Sequence, residues 1–411
     1  MRTQSRTLPK MLLLAAAVCT APGGAQTYTV LYNFTGTSDG GYPEGNLIRD
    51  AAGNLYGTTN EGVHGYGSVF KLSPSGSLTV LYGFAGPPTD GGGSAAGVFP
   101  DSAGNLYGTT TYGGAPNSTC TYGCGVVFKL APNGTETLLH TFSGGADEDY
   151  PYGGVIRDSA GSIFGTTGGE GADPDNGGVF KIDPAGILTE LHSFAGPPTD
   201  GRGPLASLVR DAQGNLYGTT SAGGTVDNLY CPNQCGIVFK VDPAGNETIL
   251  HSFAGYPSDG DSPWAGVIRD SAGTLYGTTQ NGGTSNAGVV YELSPSGIIT
   301  LLHSFAGSPN DGGDPLGGVV RDAAGNFYGT TSSGGVTSRV CSNIGCGVVY
   351  KLDPSGNETI LHRFTGSDGR FPYAGVILDY SGNLYGATFY GGSDDFGVVF
   401  KISAAAAASQ P

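Results

Sequence analysis

Charged side chains are scarce in this chain. Asp, Glu, Lys and Arg make up 13% of its 411 residues, so long amphipathic helices, which need a charged face, have little to be built from. Basic residues are scarcer still: 18 Lys and Arg stand against 34 Asp and Glu, a formal net charge of −16. A surface of that sign repels phosphate backbones and argues against a nucleic-acid partner. Long apolar runs are lacking as well. The one near the start, Met11 to Ala21, spans eleven residues, and no later run approaches the roughly 20 that a membrane helix needs. No membrane span is expected. No nucleophile elbow, P-loop, dinucleotide fingerprint or zinc-protease motif occurs anywhere in the chain.

What is present points outward from the cell. Arg2, Arg6 and Lys10 precede the apolar run, and Gly23-Gly24-Ala25 follows it, the order of a secretory signal ending in a small-residue cleavage site. Residues 1–25 are expected to be removed, leaving a secreted or periplasmic protein that starts near Gln26. Removal takes away three positive charges and moves the formal net charge from −16 to −19. Cys19 follows Ala16-Ala17-Val18, which puts a branched residue where cleavage before a lipidated Cys needs a small one, so lipidation is not expected.

Glycine (75) and proline (25) are abundant, which favours turn-rich β structure. The stretch GNLYGTT, Gly53 to Thr59, returns almost unchanged, its aromatic falling at Tyr56, Tyr107, Phe164, Tyr217, Tyr276, Tyr328 and Tyr385. Successive copies are 51, 57, 53, 59, 52 and 57 residues apart. Each holds four short runs rich in β-branched and aromatic residues, for example GVIRD (Gly266 to Asp270), TLYGTT (Thr274 to Thr279), GVVYEL (Gly288 to Leu293) and ITLLHSF (Ile299 to Phe305). D-x-x-G separates the first two runs, as at Asp50 to Gly53, and D/S-P-x-G the last two, as at Asp353 to Gly356. Asp can bond the backbone two residues on and Gly supplies a positive φ, so both read as hairpin turns. Seven units of four strands predict an all-β fold, a seven-bladed β-propeller. The last copy ends after GVVFKIS (Gly397 to Ser403) without a fourth strand, whereas YTVLYNF (Tyr28 to Phe34) is a fourth strand without a copy. The N-terminal strand is therefore expected to complete the last blade and remove an open sheet edge. One domain should cover residues 26–403, with 404–411 as a flexible tail.

The set GVIRDSAG-LYGTT…GG…GVVYELSPSG…LLHSF resembles the GloVer-type tandem repeat of choice-of-anchor exported bacterial proteins over roughly residues 27–403. It is also similar to NHL-like and lyase-like propellers, whose repeats read G-V-x-x-D-x-x-G-N-x-Y. The resemblance implies the fold and brings no catalytic residue set. The tail Ala404 to Pro411 shows no hydrophobic anchor or sorting motif, a departure from the anchored pattern.

In a meander, the connections from second to third strand and from fourth strand to the next blade emerge on one face. Here these are the long, variable ones, so a site is expected on that face. Six cysteines fall there as Cys120 and Cys124, Cys231 and Cys235, Cys341 and Cys346, in the loops of copies two, four and six. The interval of about 110 residues suggests duplication of a two-blade unit. In an exported protein such close pairs favour local disulfides at loop tips. Metal binding is the alternative, although each pair offers two ligands and has no nearby His. Asp39, Asp90, Asp200, Asp259, Asp311 and Asp368 each precede Gly in the blade-to-blade loops, as turn caps or, alternatively, as oxygen donors for calcium. DPDNGG, Asp173 to Gly178, resembles a calcium loop in part. Otherwise neither cofactor nor metal is expected.

Residues that every blade needs recur, whereas a single site on a ring needs residues that differ between blades. The departures are Asp147, Glu148, Asp149, Tyr150 and Tyr152 in one loop, then Arg202, then Asp261 with Trp264, then Arg370, Phe371 and Tyr373. Trp264 is the one Trp in the chain. Aromatics beside carboxylates and Arg suit sugar stacking with polar contacts, or acid/base work on a polysaccharide. His140, His192, His251, His303 and His362 recur on fourth strands, replaced by Tyr32 and Tyr82 in two copies, and read as structural. Arg49, Arg157, Arg210, Arg269 and Arg321 precede the turn Asp and are expected to pair with neighbouring Asp. The sequence thus reads as a monomeric exported propeller that binds a glycan or protein ligand, with a polysaccharide lyase or hydrolase as the alternative.

Overall fold

A computed structural model describes residues 26–145, 148–169, 176–226, 229–231 and 234–404. Residues 1–25, Asp147, Asp173 to Asp175 of the DPDNGG stretch and residues 405–411 lie outside the described residues. Seven four-stranded antiparallel sheets form a ring, and no α-helix occurs among the described residues. Blade 1 consists of Ile48–Arg49, Leu55–Thr59, Ser68–Leu72 and Leu78–Gly83 from the centre outward. Blade 7 takes Ile377–Leu378, Leu384–Thr388 and Val398–Ile402 from the C-terminal end and Tyr28–Asn33 as its fourth strand. The seam closes as expected, and Ser403 N–H donates to the Thr27 carbonyl at 2.9 Å.

The first strands are shorter than the sequence suggests. GVIRD contributes only Ile268–Arg269, because its start leaves the sheet to pack on the neighbouring blade. A Cβ on Gly266 would lie 2.4 Å from the Ser207 carbonyl oxygen. The long connections are less irregular than their composition implies. Gly91–Gly92 pairs with Tyr112–Gly113, and Gly260–Asp261 with Asn281–Gly282. Each such ribbon joins the two long loops flanking a blade, which places both kinds of loop on one face.

The core lies between blades. Phe34, Phe84, Phe142, Phe194, Phe253, Phe305 and Phe364 follow the fourth strands. Each meets edge-on the third-strand aromatic of the next blade, from Phe70 round to Phe400, with ring centroids 5.0–5.4 Å apart. Such pairs add roughly 0.5–1.5 kcal/mol each beyond their buried area. This packing explains the second Gly of GNLYGTT: a Cβ on Gly57 would stand 2.7 Å from the Phe70 ring. The rest of the motif is equally occupied. Asn54 N–H and Tyr56 O–H both donate to Asp50, at 2.8 and 3.0 Å, and Thr58 O–H donates to the Ala96 carbonyl of the next blade at 2.8 Å. The motif returns because each blade needs the same turn, the same ring clearance and the same tie to its neighbour.

Candidate functional site at the mouth of the central channel

Each connection into a new blade ends in a left-handed residue, a proline and then one residue aimed at the axis. Tyr42, Tyr150, Ser262, Asp314 and Phe371 have φ between 51° and 57°, and Gly203 has 66°; a proline follows each. Blade 2 uses Gly93-Ser94 instead. The axial residues are Glu44, Ala95, Tyr152, Leu205, Trp264, Leu316 and Tyr373, one per blade, and all seven line a single cavity of about 550 Å³. They form a collar at the mouth of the channel on the long-loop face. A second groove of about 360 Å³ shares Leu205 and Trp264 with it and adds Arg202 and Ser221.

The backbone beneath the collar is held from both sides. On one side, the Tyr150, Ser262 and Phe371 N–H groups donate to the carbonyls of Cys124, Cys235 and Cys346 at 2.9, 3.0 and 2.9 Å. On the other, the hydroxyls of Thr109, Thr219 and Thr330 donate to the carbonyls of Gly153, Ala265 and Ala374 at 3.0, 2.9 and 2.7 Å. These bonds bracket Tyr152, Trp264 and Tyr373. The three disulfides, Cys120–Cys124, Cys231–Cys235 and Cys341–Cys346, therefore each support an aromatic of the collar. They are not at loop tips: every one of these cysteines is at most 2% exposed and belongs to the core beneath the loop.

Trp264 remains 43% exposed. Tyr373 stacks on Phe389 with ring centroids 4.7 Å apart, leaving its orientation little freedom. Glu44 faces the same cavity, accepts a bond from Asn60 Nδ2 at 3.1 Å, and burial pushes its carboxyl pKa up.

The collar takes in Tyr152, Trp264 and Tyr373 from the sequence-derived candidates, with Arg202 in the adjoining groove. Others go elsewhere. Glu148 is buried at φ 61° and accepts a bond from the Thr167 hydroxyl of the second strand of blade 3, and Asp149 is fully buried beside Cys120, so neither carboxylate is on the collar. Tyr150 lies edge-on to Tyr112. Asp261 is in a ribbon and accepts a bond from the Ser262 hydroxyl at 2.9 Å. Arg370 makes an ion pair with Asp395 at 2.7 Å and lies over the rings of Phe371 and Tyr390, an arrangement internal to its loops. Glu44, Ala95, Leu205 and Leu316 were missed. The offset was readable: six of the seven collar residues stand immediately after a proline, Ala95 after Ser94, and all stand just before the small residues that open the next blade.

The repeated acids, histidines and arginines have local partners. Asp90 accepts bonds from Ala85 and Gly91 N–H and from Tyr82 O–H, and Asp259 is bound in the same way by His251 at 2.8 Å. Tyr82 and His251 thus fill one role with two kinds of donor. At the short-turn end, Arg49, Arg157, Arg210, Arg269 and Arg321 lie 5.0–5.5 Å above Tyr385, Tyr107, Phe164, Tyr217 and Tyr276 of the preceding blades. Stacking is the shared contact; Arg49 and Arg321 also reach Asp379 and Asp270 at 4.0 and 3.6 Å.

Among solved structures, a gluconolactonase from Xanthomonas campestris is 13% identical over 92% of this chain and 89% of its own, with a TM-score of 0.45. PorZ, a surface component of the type-IX secretion system of Porphyromonas gingivalis, is 12% identical over 92% of this chain and 48% of its own, with a TM-score of 0.47. The extracellular domain of BT4673 from B. thetaiotaomicron is 9% identical over 87% of this chain and 38% of its own, with a TM-score of 0.48. No curated protein matches. No helix among the described residues is long and apolar enough to cross a membrane. The Gloeobacter/Verrucomicrobia repeat matches residues 18–120, 117–230 and 228–410, and with its seven closed blades the chain belongs to that repeat family.

Proposed function

We propose that the protein is an exported binding propeller that takes a glycan at the collar, residues 1–25 acting as its export signal. One observation carries this reading: three aromatics, Tyr152, Trp264 and Tyr373, face a single mouth from alternate blades, each beside a disulfide-bearing loop. Rigid aromatic faces next to polar groups are what a sugar ring needs for stacking with few, directed hydrogen bonds. The disulfides favour an oxidising compartment, secreted or periplasmic. Because Trp264 is the one Trp, its fluorescence reports on the mouth directly. Titrating the mature protein with soluble polysaccharides should shift that emission, and Trp264→Ala or Tyr152→Ala should weaken binding without unfolding the ring. Binding that is equal in both variants removes the collar from consideration, and silence towards every glycan turns the proposal to a protein ligand.

Glu44 supports a second reading, a polysaccharide lyase or hydrolase. A carboxyl whose pKa is raised by burial inside a ligand-sized cavity suits proton donation. New reducing or unsaturated ends that disappear in Glu44→Gln would establish it; binding with no new ends leaves recognition alone.

A further inference from the structure

The fourth strands of blades 2, 4 and 6 begin with Glu136, Glu247 and Glu358. Leu78, Leu188, Ile299 and Tyr28 hold that position in the others. Each Glu lies across a blade boundary from the Asp and the His or Tyr of the preceding blade. The molecule therefore contains its own controls. Where no Glu is present, His251 and His362 bond Asp259 and Asp368 at 2.8 and 3.0 Å. Where Glu is present, the corresponding separations open: His192 Nε2 is 3.5 Å from Asp200 Oδ2, and His303 Nε2 is 3.6 Å from Asp311 Oδ2.

These distances are too long for a good hydrogen bond. They match two ligands of one tetrahedral zinc ion, which at bond lengths near 2.0–2.1 Å stand about 3.4 Å apart. In both clusters the His Nε2 and the Glu Oε1 are buried with no hydrogen-bond partner. The donor atoms of His192, Asp200 and Glu247 all lie within 4.8 Å of one another, as do those of His303, Asp311 and Glu358. Both Asp carboxylates are oriented by two backbone N–H groups, from Ala195 and Gly201 in one cluster and Ala306 and Gly312 in the other, as hydrogen bonds from outside the ligand set orient metal ligands. The interface of blades 1 and 2 differs: the Tyr82 hydroxyl lies 3.0 Å from Asp90 and 3.1 Å from Glu136, and so occupies the space between the two carboxylates.

We propose that the interfaces of blades 3 and 4 and of blades 5 and 6 each bind one divalent cation of the zinc class through His, Asp and Glu, joining neighbouring blades. A neutral imidazole and two carboxylates balance a charge of two, and water completes the four-coordinate shell. Calcium fits less well, since it takes six to eight oxygen ligands. The histidines do not share a metal with one another; each meets carboxylates brought in from its own loop and from the next blade.

The experiment uses the mature, disulfide-oxidised protein, stripped with EDTA and dialysed. Zn²⁺ titration followed by calorimetry should show two equivalents per chain, and Co²⁺ should give the visible bands of a tetrahedral site. Glu247→Gln and Glu358→Gln should each reduce the stoichiometry from two to one, while Glu136→Gln should leave it at two. His192→Tyr recreates the blade 1 and 2 interface, an arrangement this fold already accommodates, and should also leave one equivalent. Absence of binding at tens of micromolar Zn²⁺, or two equivalents persisting in Glu247→Gln and His192→Tyr, would overturn the proposal and leave a proton shared between the carboxylates.

Discussion

The two ends of the propeller are built on opposite economies. At the short-turn end the turn Asp is committed within its own hairpin, and the Arg beside it lies over a ring of the preceding blade. Asp211 accepts from Gln213 N–H, Asn215 N–H, Asn215 Nδ2 and Tyr217 O–H at 2.8–3.0 Å. Removing any of these groups disturbs the turn itself, so the residues must recur. At the long-loop end the recurring parts are the left-handed residue, a proline in six blades, the buried Thr tie and the Asp that caps the blade-to-blade loop. The side chain these deliver to the axis differs from blade to blade, from Glu44 through Ala95 to Trp264. Side chains can vary where the scaffold fixes the direction of the main chain without specifying the residue it presents.

The severest test of the scaffold is the seam, the one blade assembled from both ends of the chain. Deleting residues 26–34 removes a whole strand and Phe34, which is fully buried against Phe70. The expected outcome is loss of soluble folded protein, or a melting temperature lower by more than about 10 °C; unchanged melting and solubility would refute the closure. The disulfides rank next. Replacing Cys231 and Cys235 together by Ser should cost about 2 kcal/mol in urea unfolding, given so short a loop. It should also make Trp264 more accessible to acrylamide quenching, because Cys235 supports its segment.

A matched pair of single variants then sets one end of the molecule against the other. Asp211→Ala strands several donors and should lose about 1–3 kcal/mol of stability with ligand affinity unchanged. Trp264→Ala should change stability by less than about 0.5 kcal/mol yet weaken glycan binding tenfold or more, about 1.4 kcal/mol. If the two swap effects, the division between structural and recognition ends fails.

The smallest effect is a slope with pH. Burial, together with the neighbouring Asp90 carboxylate, pushes the Glu136 pKa up from its ordinary 4.5 to about 7. The folded state thus holds the Glu136 proton more tightly than the unfolded chain. The associated stability is fully present below about pH 4.5 and is lost as pH rises through about 7. In EDTA, the melting temperature should fall between pH 5 and 8, and Glu136→Gln should reduce that slope.

Much of this architecture is legible in the chain. GNLYGTT marks every second strand, D-x-x-G every inner turn, and Tyr28 to Phe34 the strand that closes the ring. The recurrence of the histidines was legible too, but not the Asp partners of His192, His251, His303 and His362, which lie six to eight residues downstream. The site was legible in part. Tyr152, Trp264 and Tyr373 stand out as departures from the repeat, but so do Glu148 and Asp149, which fold inward. Composition cannot separate the two groups, because direction depends on a left-handed residue and a proline a few positions away.

By itself the sequence determined the number of blades, the pairing within each and the place of closure, since these follow from local patterns of period two and from turns of a few residues. Tertiary structure alone decided what meets across blade boundaries: Arg over a neighbour's Tyr, Glu247 beside His192 and Asp200, a cysteine carbonyl beneath Trp264. Those contacts join residues tens of positions apart. Their geometry is set by the twist and packing of whole sheets, which no single repeat contains.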